Sequence, residues 1–203
     1  MKAVIEVGTN IGQDTPSLLR KYDDSMIISF EPIPDLYELN KNKITHERVE
    51  FVNAAIGLNS GSAKFNITST AGKFKHRGSS SLYSFADDLQ QKWPREDFNM
   101  VETIDVQVYS MEDVIENYRI DHIPYMHCDA QGGDLDVLKS YGKYINILDG
   151  GVIEVSDKIS LYKGNVNGAE EARQWLEAHG FHVYKTAHND PLKAELNMWF
   201  ERV

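Results

Sequence analysis

Three residues in the second half of the chain have the types and spacing for acid–base chemistry. His127 and Asp129 stand two apart at the end of the apolar run that starts at Ile123, and a strand turns such residues to the same face, an arrangement suited to a His–carboxylate pair. Glu154 interrupts Val152-Ile153-Glu154-Val155-Ser156, where burying a carboxylate is costly unless it is used or paired. Asp129 comes first as a candidate general base, with Glu154 and His127 next. His127 reads equally as a half-buried structural histidine. The three could also collect a divalent ion, but no ligand-spacing signature accompanies them and no metal is expected.

A second constellation lies near the N-terminus. Glu6-Val7-Gly8-Thr9-Asn10-Ile11-Gly12 closes one apolar run and leads into an amphipathic one. Glycines at 8 and 12 permit a tight turn and a close approach of ligand to backbone. About 20 residues later Phe30-Glu31-Pro32 ends the next apolar run, and an acid at such a place can accept hydrogen bonds from both hydroxyls of an adenosine ribose. Glu31 could instead cap or pair near the following helix. A nicotinamide-dependent, NAD(P)-type oxidoreductase would use the same turn and acid. It fits less well, because the spacing is Gly-x-x-x-Gly rather than Gly-x-Gly-x-x-Gly.

The elements that must hold these residues alternate. Ala3 to Val7, Met26 to Phe30, Val49 to Ala54, Ile123 to Cys128 and Gly151 to Val155 read as buried strands. Thr15 to Tyr22, Asp35 to Lys43, Ser110 to Tyr118, Asp134 to Tyr141 and Ala169 to His179 carry apolar residues at helical spacing, with Ser110 a candidate N-cap and Gly142 and Gly180 at helix ends. That rhythm predicts a doubly wound, Rossmann-like α/β sheet, mostly parallel because helices return the chain between strands. Phe181 to Lys185 and Leu196 to Glu201, around a turn at Asn189, Asp190 and Pro191, predict a C-terminal antiparallel hairpin.

Ser62 to Thr68 and Glu102 to Tyr109 alternate apolar and polar residues as half-exposed strands do. The polar stretch between them is too long for an ordinary connection, so residues 69–99 read as a lid or substrate loop, or else as a plain surface excursion. Within it, Ser80 and Ser81 could donate hydrogen bonds to a polar acceptor, and Lys73, Lys75, His76 and Arg77 form a local basic patch that could attract an anionic one.

With 203 residues, 41% hydrophobic and 26% charged, the chain has the composition of a globular protein and the length of a single domain, 1–203. A formal charge of -10 argues against a nucleic-acid partner, whose affinity would rest on Lys and Arg. One cysteine, no basic and apolar leader and no apolar run long enough to span a bilayer make a cytoplasmic protein without membrane insertion the expectation.

Taken in order, the Glu6-to-Gly12 turn, Phe30-Glu31-Pro32, Asn53-Ala54-Ala55-Ile56-Gly57 and Asp129-Ala130-Gln131-Gly132-Gly133-Asp134 with Val137-Leu138 resemble the FkbM family of methyltransferases, over about residues 3 to 155. The resemblance implies S-adenosylmethionine as cofactor and, in typical members, O-methylation of hydroxyls on sugars or natural-product scaffolds. It would place Glu6, Gly8, Thr9, Asn10 and Gly12 beside the methionine part, Glu31 and Pro32 at the ribose, and Asn53 and Ala54 at the adenine, with Asn53 otherwise a turn-forming residue. Asp129 becomes either the base for the acceptor hydroxyl or an anchor for the cofactor's ammonium group, and Ser80, Ser81 and Gln131 become acceptor contacts.

Two departures stand out. Glu6 replaces the more usual Asp, and Gln131 stands where many members carry Glu, which removes it as a base. The helical segment that usually precedes the first strand and covers the cofactor is missing, so closure is expected from the 69–99 loop, a partner chain in a homodimer, or nothing. A non-catalytic cofactor-binding module of the same fold is the remaining alternative.

Overall fold

In a computed structural model of the chain, the residues described are 1–69, 77–92, 99–164, 168–189 and 193–203. The chain runs β1 (Ala3–Val7), α1 (Thr15–Lys21), β2 (Met26–Phe30), α2 (Pro34–Lys43), β3 (Val49–Val52), β4 (Ala55–Ile56), β5 (Gly61–Ser69), α3 (Leu89–Lys92), β6 (Asn99–Tyr109), α4 (Met111–Tyr118), β7 (Met126–Cys128), α5 (Asp134–Lys139), a 3-10 turn (Gly142–Ile147), β8 (Gly150–Ser156), α6 (Ala169–Ala178), β9 (Phe181–His188) and β10 (Glu195–Arg202).

Seven strands form the main sheet in the order β3-β2-β1-β7-β8-β10-β9. The first five are parallel, while β10 runs antiparallel to both β8 and β9. This is the doubly wound sheet with its C-terminal hairpin that the sequence leads one to expect. Every residue of β1 is buried, as a parallel strand covered on both faces requires. Val4 packs with Leu18 of α1 and Ile27, whereas Ala3, Ile5 and Val7 face the larger core built with α4, α5 and α6. Helices therefore cover both faces. From β1 the chain winds outward to β2 and β3, then returns to the other side for β7, so the switch point of the sheet lies between the carboxyl ends of β1 and β7.

The alternating runs pair as an antiparallel hairpin of β5 with β6, and β4 joins β6 in parallel to make a separate three-stranded sheet. Its core is Ile33, Ala55, Phe65, Ile67, Val106 and Val108. Two expected strands come out shorter. The ladder of β7 begins at Met126, after Pro124, which has no amide proton to give, and β3 stops at Val52 because the chain turns at Asn53. Ser110 caps α4 by accepting from the Asp113 amide at 3.1 Å, and Gly142 and Gly180 take φ of 49° and 79°. Of the expected lid, residues 70–76 and 93–98 lie outside the described residues, as do Lys73, Lys75 and His76 of the basic patch and Asp190 and Pro191 of the hairpin turn. Among the described residues no helix is long and apolar enough to cross a membrane.

Candidate active site

At the switch point opens a cleft of about 270 Å³. Its floor is the turn after β1. Gly8 and Thr9 both donate their amides to the Phe30 carbonyl, at 3.0 and 3.1 Å, and so tie this turn to the end of β2. Gly8 has φ of 78°, and a Cβ there would lie 2.1 Å from the Asp129 carbonyl oxygen, so only glycine lets the ends of β1 and β7 approach this closely. Thr9 is buried with its hydroxyl on the same Phe30 carbonyl. Gly12, φ 70°, packs against Asn40 of α2. Neither Thr9 nor Gly12 reaches the cleft wall, whereas Gly8 and Asn10 do.

Glu31, at the end of β2, is 4% exposed and lines the cleft. One carboxyl oxygen accepts from the Asn10 amide at 2.7 Å, the other from the Ile33 amide at 2.9 Å. Burial outweighs both bonds and pushes its pKa up to about 7. A carboxylate has about four lone-pair sites, so two remain for a ligand. Pro32 and Ile33 continue the wall beside it, and Ala55, Ile56, Phe65 and Leu82 give the cleft an apolar side. Asn53 is exposed and turned away: its amide donates to the carbonyls of Glu31 and Pro32, at 2.9 and 3.1 Å, holding the turn that presents Glu31. Ala54 is buried in the main core, and it is Ala55 and Ile56 that face the cleft.

Glu6 stands apart from the cleft wall. Its register neighbours are Ser29 and His127, and its buried carboxyl accepts from the hydroxyls of Ser29 and, at 2.7 Å, Thr15. Burial raises its pKa above the usual carboxylate range. Glu6, Asp14 and His127 bring three possible ligand atoms within 4.8 Å of one another, a grouping that passes behind the cleft through His127 and Asp14, both of which also line it.

The far end of the cleft is acidic. Asp129, just past β7, and Glu154, in β8, are hydrogen-bonded to each other. Burial raises both pKa values; the bonds made by Asp129 offset part of its rise, whereas the neighbouring Asp129 drives Glu154 further up. Beneath them Asp134 is fully buried, accepting from the Glu154 amide at 3.1 Å and the Ala130 amide at 3.2 Å, with its pKa pushed up to about 8 by burial. The Gln131 amide nitrogen donates to Asp129 at 2.5 Å and to Glu154 at 2.8 Å, and the Asn189 amide donates to the other Glu154 oxygen. Glu195 lines the same end.

The serine run closes one side. Ser80 lines the cleft, its Oγ accepting from the Thr68 amide at 3.0 Å, while Ser81 is buried behind it and donates to the Gln131 carbonyl at 2.6 Å. Arg77 also lines the cleft, and its guanidinium donates to both carboxyl oxygens of Asp35 at 2.6 Å. Of the residues singled out in the sequence, Gly8, Asn10, Glu31, Pro32, Ser80, His127, Asp129, Gln131 and Glu154 thus meet around one cleft, and Glu6, Thr9, Gly12, Asn53, Ala54 and Ser81 support it from outside. Sequence reasoning missed Asn189 and Tyr162, which reach the acidic end from remote loops and carry no local signal.

Residues 6–183 match the family model described as a methyltransferase FkbM domain. A curated relative, Methyltransferase 1 of Beauveria bassiana (strain ARSEF 2860), is 28% identical over 191 residues, covering 89% of this chain and 72% of the relative. Among solved structures, a methyltransferase FkbM from Methylobacillus flagellatus KT superposes with a TM-score of 0.53 at 12% identity, over 98% of this chain and 44% of that one. TrmK of M. capricolum, in complex with its cofactor product S-adenosyl-homocysteine, gives 0.50 at 10% identity, over 99% of this chain and 62% of that one. At these identities the likeness is one of fold, and the chain spans less than two thirds of either structure's length.

Proposed function

The chain belongs to the FkbM methyltransferase family, and on that premise we propose that it transfers the methyl group of S-adenosylmethionine to the oxygen of a hydroxylated acceptor, a sugar, glycan or other small polar metabolite. The observation that carries this reading is that one cleft is lined by Gly8 after β1, Glu31 after β2, Asp129 after β7 and Glu154 in β8. A ribose-holding acid and a proton acceptor thus face the same space.

The residues present suit the cofactor. Glu31 keeps two lone-pair sites for the ribose hydroxyls, the Gly8 turn admits close backbone approach, and Ala55 and Ile56 offer an apolar surface to adenine. When bound, S-adenosylmethionine supplies an electrophilic methyl group on a positively charged sulfur. The chain's task is then to orient the acceptor and to take its proton. A cleft lined by Ser79, Ser80 and Leu82 and by the apolar Ala55, Ile56 and Phe65 holds the two reactants together, which by itself lowers the barrier by removing the entropy of encounter. Asp129 accepts the hydroxyl proton as the new bond forms, and Glu154, whose pKa is driven further up by its neighbour Asp129, stands beside it as the weaker acid. In this reading residues 1–203 act as one domain, Ser79, Ser80 and Leu82 of the 69–99 segment supply the acceptor side, and the buried, free Cys128 suits a reducing compartment such as the cytoplasm.

Thermal melts with S-adenosylhomocysteine and with NAD, followed by mass spectrometry of a panel of hydroxylated acceptors, test this. The expected result is stabilisation by S-adenosylhomocysteine alone and a mass gain of one methyl group on a hydroxyl. Stabilisation by NAD, or methylation confined to nitrogen, would overturn it.

A further inference from the structure

We propose that Tyr162 and Gln131 are positioning residues: the Tyr162 hydroxyl fixes which way the Gln131 amide faces, and the amide in turn holds the Asp129 and Glu154 carboxyls by donating to both. The inference rests on the assignment of Asp129 as base, but its physical content concerns this chain's own groups.

The geometry leaves the amide one orientation. Tyr162 is buried and has a single phenolic proton; its oxygen lies 2.7 Å from the Gln131 amide oxygen and 3.2 Å from the Ser79 carbonyl. Donation to the nearer acceptor places the amide oxygen toward Tyr162 and sends both N–H groups the other way, one to Asp129 and one to Glu154. The reverse orientation would set the amide oxygen against the Asp129 carboxyl oxygen 2.5 Å away and leave the Tyr162 proton only the longer bond to Ser79. Every hydrogen-bonding group of this side chain is therefore engaged.

Glutamine suits the position where neighbouring side-chain types would not. A lysine or arginine would bring a full charge and drive both carboxyls toward their ionised forms, and a glutamate would add a third acceptor where two donors are needed. The backbone is held for the same purpose. Gln131 itself has φ of 49°, a left-handed conformation that non-glycine residues adopt at a cost, and the Ser81 hydroxyl pins its carbonyl at 2.6 Å. Gly132, φ 91°, follows, and a Cβ there would fall 2.6 Å from the Tyr162 ring. The glycine after Gln131 is thus the space that Tyr162 occupies. The ring also stacks against Phe85, centroids 5.6 Å apart.

The test is an infrared pH titration of the purified protein, free of donor and acceptor, that follows the carbonyl band of the protonated carboxyl, assigned by its loss in Glu154→Gln. Removing the donors that favour the ionised form in Gln131→Leu moves the loss of this band upward by about one to two pH units. Tyr162→Phe, which lets the amide turn, moves it the same way by a smaller amount, and Gln131→Glu moves it at least as far as Gln131→Leu. Phe85→Leu loosens the packing without touching a hydrogen bond, so it lowers the melting temperature and leaves the titration in place. If Tyr162→Phe and Gln131→Leu fold, as judged by their melts, and titrate at the wild-type pH, the positioning role is overturned. Binding of S-adenosylhomocysteine is measured alongside: its absence in the wild type would refute the methyltransferase reading and leave the outcome of the infrared experiment standing on its own.

Discussion

Replacing Glu31 by Gln should both weaken the binding of S-adenosylhomocysteine and abolish its dependence on pH. In the wild type the carboxyl is 4% exposed, accepts two backbone amides, and has its pKa pushed up to about 7 by burial. A ribose diol donating to it favours the ionised form, so binding must release a proton whenever the free protein holds one. Affinity should then fall about tenfold between about pH 8 and about pH 6, since the fraction of ionised Glu31 drops by that factor. At the higher pH, loss of a hydrogen bond to a charged group, about 1.5–3 kcal/mol, corresponds to a roughly ten- to hundredfold weaker complex in Glu31→Gln. The variant's own affinity should be nearly flat across the range, because the group that linked proton to ligand is gone. Its amide also turns a donor toward one of the two backbone N–H groups, which should lower folding stability by about 1–3 kcal/mol. Isothermal titration at both pH values, in two buffers of different ionisation enthalpy, reads affinity and proton release together. Equal affinities for wild type and variant at both pH values would refute the reasoning.

Other outcomes follow from the same structure. Asp129→Asn should slow methyl transfer by about 10²–10⁴-fold with S-adenosylhomocysteine affinity little changed; a loss confined to affinity would make Asp129 an anchor rather than a base. Gly8→Ala should destabilise the fold by at least about 2 kcal/mol in urea unfolding, combining a positive φ with a Cβ 2.1 Å from a carbonyl oxygen, whereas Gly133→Ala, with nearest contacts at 3.4 Å, should change it by less than about 1 kcal/mol. The stability of the wild type should decline as pH rises toward 7: Glu31 has a folded pKa above its unfolded value of 4.5, so its favourable contribution is complete below the unfolded value and is lost through about 7, to the extent of about 3 kcal/mol, and a melting series should show that part of the decline missing in Glu31→Gln. Ser110→Ala, which removes the cap on the Asp113 amide, should cost about 1 kcal/mol in the same urea assay.

Much of this architecture is legible in the residues because its strongest signals are local. β1 and β2 are buried on both faces and appear as short runs that are apolar but for Glu6 and Ser29, so their limits, Ala3–Val7 and Met26–Phe30, can be read directly. Glu31 is legible for the related reason that an acid ends such a run where the chain turns. The period-two pattern of β5 and β6 is equally plain, but their separate sheet is not, because the strand that completes it, Ala55–Ile56, is two residues long and has no period to detect. Glu6 belongs to the same motif as Gly8, yet its side chain serves Ser29 and Thr15; the alternation along β1 places it on the face of Val4, beside His127. Tyr162 is the clearest case of a residue invisible beforehand. It meets Gln131 across 31 positions of sequence, and its only trace is a glycine at 132 whose purpose depends on the ring that fills the space.

The central claim is that the cleft between β1, β2 and β7 seats a methyl-donor nucleoside with its reactive end toward Asp129. A crystal structure of the protein with S-adenosylhomocysteine tests it most directly. The expected result has the ribose hydroxyls within hydrogen-bond distance of Glu31 and the sulfur on the Asp129–Glu154 side of the cleft. Density for the ligand elsewhere on the molecule, or its absence at saturating concentration, would contradict it.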